Sequence, residues 1–193
     1  MKKLRILVLS CIVAFASGCA SSPVTVTGTV CDATMNGLSV IIDGTDTIYI
    51  STADADLQTP QGILLYDSVE VTYVEQRSEG VAVRKARSLN VIFSPYTAIV
   101  GRWVEPNPIN AEQVQGIEIN ADGTAASINM ATLQFEGWTL TSPDSVAFDI
   151  TSIGNGTSQE MTDEYAIELL DSQNLVLSRN GNVIWNLHKE KTE

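Results

Sequence analysis

Cysteine, histidine and positive charge are scarce in this chain. Its 193 residues hold three Cys, one His and 11 Lys+Arg against 23 Asp+Glu, a formal charge of −12. One His and so few Cys leave no set for a His/Cys zinc centre. An acidic chain without clustered Lys and Arg lacks what a phosphate backbone requires, so nucleic acid is not an expected partner. There is no glycine-rich phosphate loop and no serine nucleophile elbow, and the carboxylates form no spaced pair that stands out. General acid–base chemistry needs groups held within hydrogen-bond reach. His188 sits near the chain end, next to Lys189, Glu190 and Lys191. The expectation is therefore a protein that is not an enzyme, with no cofactor and no metal. Asp54-Ala55-Asp56 could lend oxygens to Ca²⁺ but lacks the remaining ligand spacing, and reads as a loop with a capping Asp. No later run approaches the ~20 apolar residues that cross a bilayer as a helix. What remains is a chain that is 44% hydrophobic, long enough to bury a core without disulfide staples.

The N-terminus reads as an address. Lys2, Lys3 and Arg5 form a basic start, and Ile6 to Ala16 is an apolar run of the length of a signal-peptide core. Ala16-Ser17-Gly18-Cys19 follows. This arrangement resembles the bacterial lipobox, which implies cleavage before Cys19 and acylation of that residue. Several acyl chains anchor a protein stably where one is marginal. Residues 1–18 are then a lipoprotein signal peptide and 19–23 a lipidated tether. Cys11 leaves with the signal and Cys19 takes lipid, so Cys31 has no intramolecular disulfide partner. The residues after Cys19 are uncharged, which points to a periplasm-facing protein on the outer membrane.

Beyond the tether the chain reads as all-β. Apolar and polar residues alternate in runs separated by turn residues at about ten-residue spacing. Residues 24–93 carry five strand candidates: Val24–Cys31, Leu38–Ile42, Thr47–Ser51, Ser68–Glu75 and Ala86–Phe93. Asn36-Gly37 and Asp43-Gly44 are hairpin-type pairs. Five strands in seventy residues suit a small barrel-like domain, OB-like or SH3-like. Pro95 marks the junction. Residues 97–188 carry eight more candidates: Ile99–Glu105, Val114–Asn120, Thr124–Asn129, Leu133–Leu140, Ser145–Thr151, Gln159–Leu169, Leu175–Arg179 and Val183–His188. Their tight links imply an up-and-down meander, and eight strands can close around side chains or one small ligand.

Gly101-Arg102-Trp103 at the head of this meander, Asp122-Gly123-Thr124 after an apolar strand, Trp138 followed by Val146 and Phe148, and Asn174 to Arg179 together resemble the lipocalins. The likeness is to bacterial lipocalin-like lipoproteins of the Bacteroidetes with an extra small β domain in front. It implies that Gly101 and Trp103 form a structural plug at one end of the barrel, with Arg179 laid across the indole. It also implies a ligand site at the open mouth, with Phe135, Trp138, Phe148, Tyr165 and Trp185 as candidate cavity residues for a small apolar or amphipathic molecule. The competing reading is a side-chain-filled barrel in a structural or interaction lipoprotein. Asp46-Thr47-Ile48, Asp67-Ser68-Val69 and Asp144-Ser145-Val146 resemble the Bacteroidetes O-glycosylation pattern, which makes Thr47, Ser68 and Ser145 candidate glycan carriers. Arg77, Arg84, Lys85 and Arg87 gather on two strands of the first domain, and a solvated strand face accounts for them.

Overall fold

The computed structural model describes residues 21–53, 55–57, 62–78 and 80–190. The expected signal peptide, the lipid-attachment residue Cys19 and Asp54 lie outside the described residues. The chain is β nearly throughout and forms two separate sheets, each curled on itself.

The first sheet contains β1 (Val24–Thr34), β2 (Gly37–Ile42), β3 (Asp46–Ser51), β4 (Asp56–Leu57), β5 (Ser68–Ser78) and β6 (Val81–Phe93). Its order is β3-β2-β1-β5-β6-β4, and a parallel β3–β6 contact between Ser51 and Lys85 closes it. A meander of three strands, closed by a parallel contact to the last long strand, gives the five-stranded Greek-key barrel of the OB type. That resolves the OB-like or SH3-like choice, which rests on a long-range pairing rather than on strand count. The strand β4 was not expected. It runs alongside Ser88 and Leu89 of β6, where β3 leaves off. Alternation sets the core: Val69, Val71 and Tyr73 share the inward face of β5 with Val30, Leu38, Val40, Ile50 and Leu89 from its neighbours. Gly28 is a close approach, since a Cβ there would lie 2.4 Å from the Ile41 carbonyl oxygen. Ser21 is already tied down, donating to and accepting from the backbone of Glu75 at 2.8 Å each.

Between the sheets, Pro95–Ile99 form a short helix, α1, with the Ser94 hydroxyl accepting from Thr97 N–H and Pro95 in its first turn. Ile99 was expected to open a strand. It instead ends this helix, because proline after a capping serine favours a helical turn over extended backbone.

The second sheet contains β7 (Gly101–Pro106), β8 (Val114–Ile119), β9 (Ala125–Ile128), β10 (Leu133–Ser142), β11 (Ser145–Gly154), β12 (Thr157–Leu170), β13 (Asn174–Arg179) and β14 (Asn182–Lys189). Its order is β10-β11-β12-β13-β14-β7-β8-β9, all antiparallel. Two-residue links at Asn155-Gly156 and Asn180-Gly181 hold positive φ at both positions, as type I′ hairpins demand. The barrel closes at two thin seams. β14 pairs with β7 at His188–Val104 and Lys189–Trp103, and the Glu190 N–H just beyond donates to the Arg102 carbonyl at 2.8 Å. β9 meets β10 through the bridge Thr124–Gly137 and through Ser127, whose hydroxyl donates to the Leu133 carbonyl and accepts from Phe135 N–H.

Candidate functional site

The direction of each strand defines two ends of the second barrel. The starts of β7, β9, β11 and β13 and the ends of the strands between them meet at one end, next to α1. Here Trp103 is fully buried and its indole N–H donates to the Ile99 carbonyl at 2.6 Å. Trp138 belongs to the same end: its ring stacks on Tyr96 at 5.0 Å and its N–H donates to the Asn120 carbonyl. Gly101, at φ 148°, lets the chain turn from helix to strand beneath the Lys189 side chain. This end is plugged.

The cation over the plug is Lys189, with Nζ 4.8 Å from the Trp103 ring centroid, and not Arg179. The reason is topological. β14 ends against the start of β7, so its last basic residue reaches the indole. Arg179 closes β13 at the opposite end and binds Asp163 Oδ2 at 2.6 Å.

The opposite end collects four polar groups, from Asp163, Tyr165, Arg179 and Trp185, beside the apolar core. Phe148 and Val146 are fully buried, and Asp163 and Tyr165 lie directly across the ladder from them. Cross-strand partners share a face, so the Asp163 carboxylate and the Tyr165 ring both point inward. Leu175 and Leu177 are inward and fully buried, and alternation puts Arg179 on the same face. The Tyr165 hydroxyl lies 3.4 Å from Asp163 Oδ2, the oxygen that also takes the Arg179 guanidinium. Burial raises the Tyr165 phenol above its ordinary value, and the adjacent Asp163 carboxylate pushes it the same way. The buried indole N–H of Trp185 is close to this phenol oxygen and draws the phenol's pKa the other way by hydrogen bonding to it. Beneath these groups the rings of Phe135, Phe148, Tyr165 and Trp185 meet at large interplanar angles, with centroids 5.1–6.1 Å apart. All five expected cavity residues therefore lie in one buried cluster, with Trp138 directly across the ladder from Phe148 and its ring turned toward Tyr96.

One further inward carboxylate was not foreseen. Glu105 follows Trp103 on the inward face of β7, where that strand and β14 splay apart. Its Oε1 accepts from Gln115 Nε2 at 3.0 Å and its Oε2 from Asn186 N–H at 3.3 Å, so it bridges the gap. Asp163 and Glu105 have no local signature. Only counting inward positions from Phe148 and Trp103 would have found them, and that requires the register.

The remaining candidates fall elsewhere. Thr47 is exposed at the start of β3, while Ser68 and Ser145 are half-buried at the starts of β5 and β11. The carboxylate before Ser68 is unusual. Asp67 is buried, one oxygen accepts from Leu64 N–H and the other has no partner. Cys31 is half-buried and donates to the Ser39 carbonyl. His188 lies on the surface with Nδ1 3.0 Å from Asn174 Oδ1. Arg84 pairs with Glu75 at 3.3 Å and lies over the Tyr73 ring. Among the described residues no cluster of His, Cys, Asp and Glu could hold a metal ion. No described helix is long and apolar enough to cross a membrane.

Comparison with known proteins bears on this half of the chain. No curated protein matches. A crystal structure of a lipocalin-like protein from Bacteroides thetaiotaomicron is 42% identical, covering 48% of this chain and 97% of that one, with a TM-score of 0.45. Residues 95–189 match the family model described as lipocalin-like. They span α1, the plug and all eight strands of the second sheet, so through this half the chain belongs to the lipocalin-like family.

Proposed function

We propose that the protein is a membrane-anchored lipoprotein whose second barrel binds a small amphipathic molecule at its open end. It acts as a binding module, not as an enzyme. The observation that carries this reading is the convergence of Trp185, Tyr165, Asp163 and Arg179 beside the packed rings of Phe135 and Phe148. Ligand sites combine apolar walls with a few convergent polar groups, as this mouth does. The ring-to-ring contacts of Phe135, Phe148, Tyr165 and Trp185 make the site shallow, with the ligand's apolar part lying on the rings rather than threading the barrel. Anchoring through acylated Cys19 places the protein at the outer membrane, facing the periplasm. Ser21 is bound to β5, so the lipid would hold the first barrel close to the bilayer.

The same ring contacts favour a second reading, a filled barrel that serves as an interaction protein. Ile109 and Val183, both well exposed near the open end, are then partner contacts. Native mass spectrometry of the chain from Ser21 to Glu193, isolated gently from a periplasm, separates the two. Ligand binding is expected to give a reproducible extra mass that solvent extraction removes. A bare polypeptide mass, unchanged after soaking with alcohols, fatty acids and bile acids, overturns the binding reading in favour of the interaction protein.

A further inference from the structure

The β5–β6 hairpin is longer than the barrel it belongs to. β1 pairs with β5 as far as Tyr73 and β3 meets β6 at Lys85, but β5 and β6 remain paired out to Ser78 and Val81. The residues beyond Tyr73 and before Lys85 therefore stand out of the barrel as a two-stranded ribbon, a form that is marginally stable in water by itself. Val81, near its tip, is 65% exposed. The ribbon and its base also gather the positive charge. After residue 19 the chain has eight Lys+Arg against 23 Asp+Glu. Four of those eight, Arg77, Arg84, Lys85 and Arg87, fall within eleven residues that contain one acidic residue, Glu79. Arg84 pairs with Glu75 at 3.3 Å, while Arg77 and Arg87 are exposed and pair with no carboxylate among the described residues. Arg87 is the extra residue of a β-bulge between buried Ala86 and Leu89, which turns it to solvent.

The N-terminal segment points to the same place. The Ser21 hydroxyl donates to the Glu75 carbonyl and accepts from the Glu75 N–H, and β1 runs antiparallel to β5. Followed backwards from Val24 to Ser21, the chain therefore runs toward the ribbon tip. Cys19 is two residues further, within about 7 Å of Ser21. Resting on the reading of Cys19 as the acylated residue, we propose that the β5–β6 ribbon docks on the bilayer surface that holds those acyl chains, with Arg77 and Arg87 meeting anionic phospholipid head groups and Val81 reaching the interface between them. Cations act on such a surface within a Debye length, about 10 Å at 0.1 M salt. The acyl chains supply the attachment and the ribbon sets the orientation, which turns the acidic remainder of the chain away from the lipid.

The test installs the lipid chemically, so that it does not depend on acylation in a cell. The chain from Cys19 to Glu193 with Cys31→Ser receives one tetradecyl chain on the Cys19 thiol. A single chain of this length binds membranes only marginally, so the contribution of the ribbon is readable. Partition is measured by sedimentation with vesicles of phosphatidylcholine alone and of phosphatidylcholine with about 30% phosphatidylglycerol. Binding is expected to be about fivefold tighter, or more, on the anionic vesicles, although the chain as a whole is acidic. Arg77→Gln with Arg87→Gln is expected to remove that preference. Arg102→Gln with Lys191→Gln lowers the net charge equally in the second half of the chain and is expected to keep it. Circular dichroism and the thermal midpoint establish that each variant is folded. Anionic vesicles bound no more tightly than neutral ones overturn the docking face and leave the basic ribbon to an acidic protein partner. A preference that survives Arg77→Gln with Arg87→Gln, or that both double variants lose equally, overturns the roles given to Arg77 and Arg87. Absence of a palmitate label on the parent chain in cells overturns the anchoring reading, and this one with it, whatever the vesicles show.

Discussion

Replacement of Trp103 tests the plug, and the structure supplies three separable contributions. The side chain is fully buried, its N–H donates to the Ile99 carbonyl, and Lys189 Nζ lies over its ring. Trp103→Ala removes all three and leaves a cavity, a loss of about 3–5 kcal/mol. For a domain of this size each kcal/mol moves the thermal midpoint by about 4–8 °C. The alanine variant should therefore lose at least ten degrees, or fail to fold its second barrel at all. Trp103→Phe retains a ring but strands the Ile99 carbonyl, which costs about 1–3 kcal/mol. Lys189→Met keeps the aliphatic stem and removes the cation, a loss of about 0.5–2 kcal/mol. Lys189 is half-buried and its charge is not shielded from solvent, so the lower part of that range applies. A double-mutant cycle on Trp103 and Lys189, read by thermal unfolding followed by tryptophan fluorescence, isolates the ring–cation coupling. A coupling indistinguishable from zero would remove Lys189 from the plug. An alanine variant that melts within two degrees of the parent would refute the plug itself.

Three other predictions are independent of the plug side chain. A Cβ at Gly116 would lie 1.9 Å from the Trp103 carbonyl oxygen, which is backbone of the neighbouring strand and cannot swing away. Gly116→Ala should destabilise the fold by about 1–3 kcal/mol, the cost of an overpacked site, read as a lower urea midpoint, and an unchanged midpoint would mean that β7 and β8 are not paired in this register. Cys19→Ser should yield an uncut precursor or an unacylated protein released from membranes. A variant still labelled by radioactive palmitate would sink the lipid-attachment assignment. Hydrogen bonds to the charged form hold two carboxylates below their ordinary value. Asp122 is held by the Thr124 hydroxyl and N–H, and Asp171 by Gln173 N–H and Asn174. A folded-state pKa below the unfolded one gives stability that is present above the unfolded value and lost as pH falls through the folded one. Stability should thus decline below about pH 4, and Asp171→Asn should flatten that decline. Identical acid unfolding curves for parent and variant would contradict it.

Strand content was legible because a half-buried strand alternates with period two and its hairpins need residues that accept positive φ. Thirteen strand candidates were marked by that pattern, and Asn180-Gly181 and Pro143-Asp144 turn where expected. The pattern does not reach β4, whose two residues are too short to alternate. It also missed α1, where a capping serine and a proline outweigh the neighbouring β-formers. The plug tryptophan was readable only through the resemblance of Gly101-Arg102-Trp103, at the head of the meander, to the lipocalins.

The partner of that tryptophan was not readable. Arg179 and Lys189 are both basic residues late in the chain, and sequence spacing cannot say which barrel end each one reaches. Strand direction decides it: β13 runs toward the open end and β14 returns to the plug. The inward positions of Asp163 and Glu105, and the meeting of Trp185 with Tyr165, depend on register and closure in the same way. A one-residue slip would turn each of these side chains to solvent. Local chemistry, short in range and repeated along the chain, therefore determined the β class and the turns. Which polar groups meet at the mouth was decided only when distant strands closed into a barrel, because that meeting is a property of pairing between residues far apart in sequence.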